Sequence, residues 1–403
     1  MTRTEHPDRD VHTSSAGIKV ILLATVLVLT ASAYIVMSDN EEFDAGSAGD
    51  HLDWKVEGTT LIITGYGDMR DYSTGLLPYP WYIDYWDVVE YIQLNEGITS
   101  ITKNCFQFPN LKGEIVLPKS LKTIGVNVFK GSKITNVVFP DDSQLTSISM
   151  GAFKDCTELT GTLKLPKNLT YIGSEAFMNC PKLTGSIQIP DGVSIINSGT
   201  FQGCSSLTGE LKLPANLLCI GWYAFDGCSG LTGNINLPEQ FFAGFGNCSF
   251  RGCTGLTGAL VAPNDAYSVT PVGESGFEGC TGITSIKLYK GNIDDRAFAG
   301  CTGLTTVSLG KNLGDISPSA FQGITFYDED GTEIEINTEN YSKLKGYVFE
   351  GPNGKLTKVA QTDDDIPDKP DQNNSGIDLW MVATPIAFIL GIIVAMLYTR
   401  RLA

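Results

Sequence analysis

The chain has 403 residues, with 28 Lys and Arg against 45 Asp and Glu, for a formal net charge of −17. That balance argues against a nucleic-acid partner, because phosphate binding draws on clustered Lys and Arg. Histidine occurs only at His6, His12 and His51, which excludes a Ser-His-Asp or Cys-His centre from the repeats that fill most of the chain.

In chain order, residues 1–17 read as a short polar N-terminus on the cytoplasmic side. Val20 to Met37 runs 18 residues without a charge, long enough to span a bilayer as a helix. Residues 18–37 are therefore a signal anchor, or a signal peptide cut after Ala33, where Ala31-Ser32-Ala33 resembles a signal-peptidase site. Either way the repeats lie outside. Residues 38–53 read as an acidic spacer, and residues 54–90 as an N-terminal aromatic cap. There, WKVEGTTLIITGYGDM forms a hairpin turning at Glu57-Gly58, followed by Tyr66, Tyr72, Tyr79, Trp81, Tyr82, Tyr85 and Trp86. Such rings either stack on sugar faces or seal the open apolar end of the first coil, and solubility demands the seal. Tyr79, Trp81, Tyr82 and Trp86 form a secondary candidate binding patch.

Residues 91–323 repeat. Phe153, Phe177, Phe201 and Phe225 stand 24 residues apart, and Phe106, Phe129, Phe250, Phe277, Phe298 and Phe321 extend the series at spacings of 21 to 27. That period predicts a β-rich leucine-rich-repeat solenoid of about ten coils. In Leu163-Lys164-Leu165-Pro166, alternation marks a strand, which the proline ends. Leu169, Ile172, Ala176 and Phe177 return to the same core across a short turn or single helical turn. Seven cysteines (Cys156, Cys180, Cys204, Cys228, Cys253, Cys280 and Cys301) follow the repeat phenylalanine by three residues. They read as a ladder of small, buried, reduced side chains. Stacked coils lie about 4.8 Å apart, within disulfide Cα range, but parallel side chains rarely have the Cβ geometry. Cys105, Cys219 and Cys248 lie off the ladder and are the candidates for a bridge. Zinc is not expected, as no C-x-x-C pair exists.

Residues 324–360 break the rhythm. Two strand-turn-strand stretches, turning at Asp330-Gly331 and Asn353-Gly354, predict a C-terminal β cap. Residues 361–378 read as an acidic disordered stalk, and Asp363-Asp364-Asp365 as a solvated charge run rather than a calcium site. Leu379 to Tyr398 is a second uncharged run of 20 residues. Residues 379–398 are read as a transmembrane helix, and residues 399–403 as a cytoplasmic tail held inside by Arg400 and Arg401. Sequons at Asn168, Asn247, Asn340 and Asn373 would permit glycosylation outside the cell.

The repeat itself carries a family likeness. Ile172-Gly173, Ala176-Phe177, Cys180, Leu183-Thr184, Ile187 and Ile189-Pro190 follow the pattern I-G-x-x-A-F-x-x-C-x-x-L-T with a following I/L-x-I/L-P. This resembles the BspA-like leucine-rich repeats, as do Trp54, Leu61-Ile62-Ile63, Gly65, Gly67, Met69 and Pro80-Trp81 ahead of them. Ser132 and Ile324 replace the repeat cysteine, and the Ala259 to Glu278 unit is irregularly spaced. The resemblance implies a surface protein for adhesion or interaction that binds through its strand face. On that face the outward column is Val116, Val138, Lys164, Gln188, Lys212, Asn236, Val261, Lys287 and Ser308, of which Lys164, Gln188, Lys212, Asn236 and Lys287 are the candidate ligand contacts. The expectation is a membrane-anchored, non-catalytic binder of surface proteins or glycans, without cofactor or metal. A structural envelope component is the alternative. A glycan-acting enzyme using Asp294-Asp295 is a third reading.

Overall fold

A computed structural model describes residues 45–72, 78–264, 269–337 and 340–362. The apolar runs Val20 to Met37 and Leu379 to Tyr398, the N-terminal segment 1–17, the Asp363-Asp364-Asp365 stalk, the tail 399–403 and Asn373 lie outside the described residues. Among the described residues no helix is long and apolar enough to cross a membrane. The chain divides into two compact units, Met1–Leu183 and Thr184–Ala403.

The first unit opens with a meander. The strand Ala45–Gly49 pairs antiparallel with Leu52–Glu57, which pairs antiparallel with Thr60–Gly65. Residues 45–53, expected as spacer, are thus largely in the sheet. Gly46 explains how: a Cβ there would come within 2.8 Å of the Trp54 indole, so only glycine lets the strand lie against that ring. The turn falls at Gly58, at φ +61°. Thr60–Gly65 then pairs parallel with Tyr91–Leu94. Between them a short helix, Pro80–Tyr85, starts with proline at its first turn, where the missing N–H costs nothing. Its Trp81 is fully buried, donates from Nε1 to the Cys105 carbonyl at 2.8 Å and packs on Phe106 with centroids 6.1 Å apart.

Each coil of this unit places one short parallel rung beside the last. Ile101, Ile124, Ile148 and Ile172 are in register down a five-stranded sheet, and all four are buried. Leu169, Ala176 and Phe177 are buried as the pattern predicts, but the return path is made of these rungs and tight turns, not of a helical turn. Rings of successive coils stack: Phe129 on Phe153 at 5.3 Å and Phe153 on Phe177 at 5.2 Å. The phenylalanine series brackets about nine turns rather than ten, since ten rings enclose nine intervals.

The second unit holds the most regular strands: Leu231–Asn236, Leu256–Val261, Ile283–Leu288 and Thr306–Leu309, paired parallel in that order. Tyr347–Glu350 adds antiparallel to the last, and Lys355–Gln361 pairs antiparallel with it. The two predicted turns are present, with Gly331 at φ +79°, Asn353 at +55° and Gly354 at +70°. Phe225, Phe250, Phe277, Phe298 and Phe321 stack face to face at 5.1 to 5.5 Å. Phe326 then meets Phe321 edge-on, and Phe349 meets Phe326 likewise, so the stack ends in turned rings.

Two features recur in both units. The residue two before the phenylalanine sits in the left-handed region: Asn127, Glu175, Tyr223, Ser275 and Arg296 at φ +53° to +59°, and Gly151 and Gly199 at +62° and +63°. The repeat cysteine also does more than fill space. Cys156 and Cys180 donate from Sγ to the carbonyls of Phe129 and Phe153 at 3.1 and 3.2 Å. In the second unit Cys228, Cys253, Cys280 and Cys301 do the same to Phe201, Phe225, Phe250 and Phe277 at 3.0 to 3.1 Å. Each thiol clamps its coil to the one before. None of the ten cysteines forms a disulfide, including the bridge candidates Cys105, Cys219 and Cys248, of which Cys105 and Cys248 are buried.

Candidate binding surfaces

The outward column is best formed in the second unit. Asn236 is the register partner of Val261, Val261 of Lys287, and Lys287 of Ser308. Gln188 bridges to Lys212 in parallel. Gln188, Lys212, Asn236 and Val261 are exposed and Lys287 is half-buried, its Nζ 5.2 Å from the Tyr289 ring. Ser308 departs from the expected pattern: it is buried, on the strand flanked by Tyr347–Glu350. A shallow depression of about 350 Å³ lies beside Asn236 and Val261, bordered by Asn234, Glu239 and Pro263. In the first unit Val116 and Val138 are register partners. Lys164 is exposed, but it lies just beyond the two-residue strand Gly161–Thr162, so the strand there stops short of its predicted end.

The aromatic patch is mostly spent on packing. Tyr79 and Trp81 are buried. The Tyr79 hydroxyl donates to the Lys103 carbonyl at 2.6 Å. The Tyr82 hydroxyl donates to the Asn104 carbonyl at 2.6 Å and accepts from the Gln107 amide at 2.8 Å. Burial pushes both hydroxyls well above the ordinary tyrosine value. Only Trp86, 44% exposed, keeps a free face, so these four rings do not together present a sugar platform.

The described sequons differ in presentation, with Asn168 exposed and Asn247 half-buried. Asn168 donates from Nδ2 to the Ser143 carbonyl at 2.9 Å. Asn247 is followed by Cys248 and Ser249, both buried, and Asn340 is half-buried.

A larger depression, about 770 Å³, lies on the second unit along a different ladder. Its spine is the bridge series Ile220, Phe245, Val272 and Ile293, continued by the pairing of Gly291–Ile293 with Leu313–Ile316. Trp222, Asn247, Glu274, Asp294, Asp315 and Tyr341 line it, with Asn292, Asp295 and Ser317. The pattern of repeats held a signal for it. The repeat glycine packs against the preceding coil so closely that a Cβ at Gly246 would meet the Trp222 amide at 2.6 Å. The two coils that carry Asp294 and Ser317 in that slot are among those bordering the depression. Asp294 is pushed above the ordinary aspartate value by burial first, then by Asp295 and Glu274.

Burial raises the thiols of Cys156, Cys253 and Cys280, and those of Cys228 and Cys301 to about 12, which keeps these five as unreactive thiols. Among the described residues no group of His, Cys, Asp and Glu is placed to hold a metal ion.

The model of the BspA type leucine-rich repeat region matches residues 85–208, 184–290, 209–325 and 259–368, in six copies. The chain belongs to the BspA-type leucine-rich-repeat family. Similar solved structures include a leucine-rich repeat protein from Bacteroides ovatus, 23% identical, covering 70% of this chain and 81% of its own, at a TM-score of 0.42. Another is a leucine-rich cell surface protein from Faecalibacterium prausnitzii, 18% identical, covering 76% and 98%, at 0.40. The leucine-rich repeat protein of T. pallidum is 25% identical over 52% of this chain and 91% of that one, at 0.37. No curated protein sequence matches this BspA-type chain.

Proposed function

We propose that the protein is a surface-displayed, non-catalytic binding protein whose partner, a surface protein or glycan of its own or a neighbouring cell, docks on the parallel-strand face. The observation that carries this is the in-register series Asn236, Val261 and Lys287, flanked by the exposed Gln188–Lys212 bridge and seated beside a depression. A flat sheet offering one side chain per coil suits an extended macromolecular contact better than an enclosed small molecule. Leu379 to Tyr398 anchors the chain in the membrane with its C-terminus inside, and Val20 to Met37 either anchors or is removed. The meander with Trp54 and Trp81, and the strands from Thr325 to Gln361, serve as the two end caps.

The test is capture on the full chain in detergent, with surface proteins and glycans as prey. Saturable binding, competed by free protein and weakened at least tenfold by Lys164→Glu with Lys212→Glu, supports the reading. Capture of nothing by folded protein favours a structural envelope component. Binding that ignores the double variant moves the contact off this face.

A further inference from the structure

We propose that the 770 Å³ groove of the second unit is a saccharide site, taking an extended oligosaccharide of neutral pyranoses, independent of the strand face. Its volume falls in the range of small-molecule sites. Its wall carries a large, partly exposed aromatic ring: Trp222 is 39% exposed on the ladder, in a slot that successive coils fill with the amide of Asn247 and the carboxylate of Glu274. Tyr341 supplies a second ring, with Lys345 Nζ 4.7 Å from its centroid. An apolar ring face packs on the C–H face of a pyranose, while the sugar's hydroxyls need acceptors and donors beside it.

Those partners are present, and their existing bonds show which chemistry they prefer. The Tyr341 hydroxyl donates to Asp315 Oδ1 at 3.0 Å. Asp295 Oδ1 accepts from the Ser317 hydroxyl, and from Ser319 at 3.2 Å. Asn292 Oδ1 accepts from the Asp315 amide at 3.0 Å. Two of the four carboxylates of this groove, Asp295 and Asp315, are thus bonded by hydroxyls, the donor that a sugar supplies. No Lys or Arg lines the groove among the described residues. Four carboxylates exclude an anionic ligand such as a sulfated or uronic glycan. The geometry also suits a polymer. The groove crosses successive coils bearing Trp222, Asn247, Glu274, Asp294 and Ser317, and coils about 4.8 Å apart advance by a length comparable to one hexopyranose. Each sugar along the chain would meet one coil.

The experiment titrates the full chain in detergent with neutral hexasaccharides (cello-, xylo-, manno- and maltohexaose) at up to millimolar concentration, following tryptophan fluorescence and heat. Spermidine is titrated in parallel. Expected is saturable binding of at least one hexasaccharide, little changed by salt, and weakened about tenfold or more by Trp222→Ala with an unchanged melting curve. Trp222→Phe should recover part of the affinity, and Lys164→Glu with Lys212→Glu should leave it intact. Failure of all four saccharides to bind overturns the proposal, as does equal binding by Trp222→Ala. Salt-sensitive uptake of spermidine without saccharide binding would reassign the groove to a cationic ligand.

Discussion

Phe277 is the ring on which the stacked core can be tested most directly. It is fully buried and meets three other rings: Phe245 edge-on at 4.8 Å, Phe250 face-on at 5.2 Å and Phe298 face-on at 5.4 Å. Phe277→Ala removes the transfer term of the ring and leaves a cavity between two rigid coils, a loss of about 3–5 kcal/mol. The upper end is expected, since aromatic pairs add about 0.5–1.5 kcal/mol beyond burial and neither face of the slot can collapse without moving a neighbouring coil. In urea this is a midpoint shift of about 1–2.5 M for a slope of about 2–3 kcal/mol/M. Because each coil contacts only its neighbours, amide exchange should quicken first in the coils of Phe250 and Phe298. Phe277→Leu should cost less, and Val269→Ala, at a position 47% exposed, should cost little. A midpoint for Phe277→Ala no lower than that for Val269→Ala would refute the stacked-core account.

The ladder thiols should resist modification. At pH 8, Cys228, Cys253, Cys280 and Cys301 should react with a disulfide reagent only as fast as their coils open, while all ten titrate in denaturant. Rapid labelling of Cys253 in native protein would contradict the burial and the thiol-to-carbonyl bond. Asp294 gives a pH prediction. Its folded value is raised, so its contribution to stability is fully present below the unfolded value, about 3.9, and is lost as pH rises through the folded value. Asp294→Asn should therefore melt higher than the parent at neutral pH, with the difference vanishing below about pH 4. Equal melting at neutral pH would mean that the carboxylate is not disfavoured there.

Much of this architecture is legible because it is periodic or local. One phenylalanine per coil, a cysteine three residues on, and the Gly58, Gly331 and Asn353-Gly354 turns are each visible within a few residues. The features that escape a reading of the chain depend on contact between coils. Ala45–Gly49 has no alternation to announce a strand, and its place is set by the Trp54 ring against Gly46. The cysteine looks like a small apolar filler until the Phe carbonyl of the preceding coil is seen to accept from it. Ser308 holds the right register for the outward column yet is buried. The groove is hardest of all: repetition fixes the slot after each apolar-glycine pair, but Trp222, Asn247 and Glu274 fill it with unrelated chemistry. Asp294-Asp295, read alone, is an ordinary solvated pair, and both stay exposed; only the structure shows that they line one depression with Trp222 and Tyr341.

The left-handed residue two places before each phenylalanine from Phe106 to Phe298 has a consequence for how such a chain can vary. That kink, the ring and the cysteine after it form a corner of fixed length, whatever side chain occupies the kink, from glycine at 151 to tyrosine at 223. Spacings of 21 to 27 between rings are accommodated with the face-to-face stacking intact, so the added residues enter on the sides and leave the corner alone. The corner works as a hinge pin on which panels of different width can hang. A chain built this way can lengthen or rewrite one coil's side, as the 27-residue interval before Phe277 does, without renegotiating the core of the next.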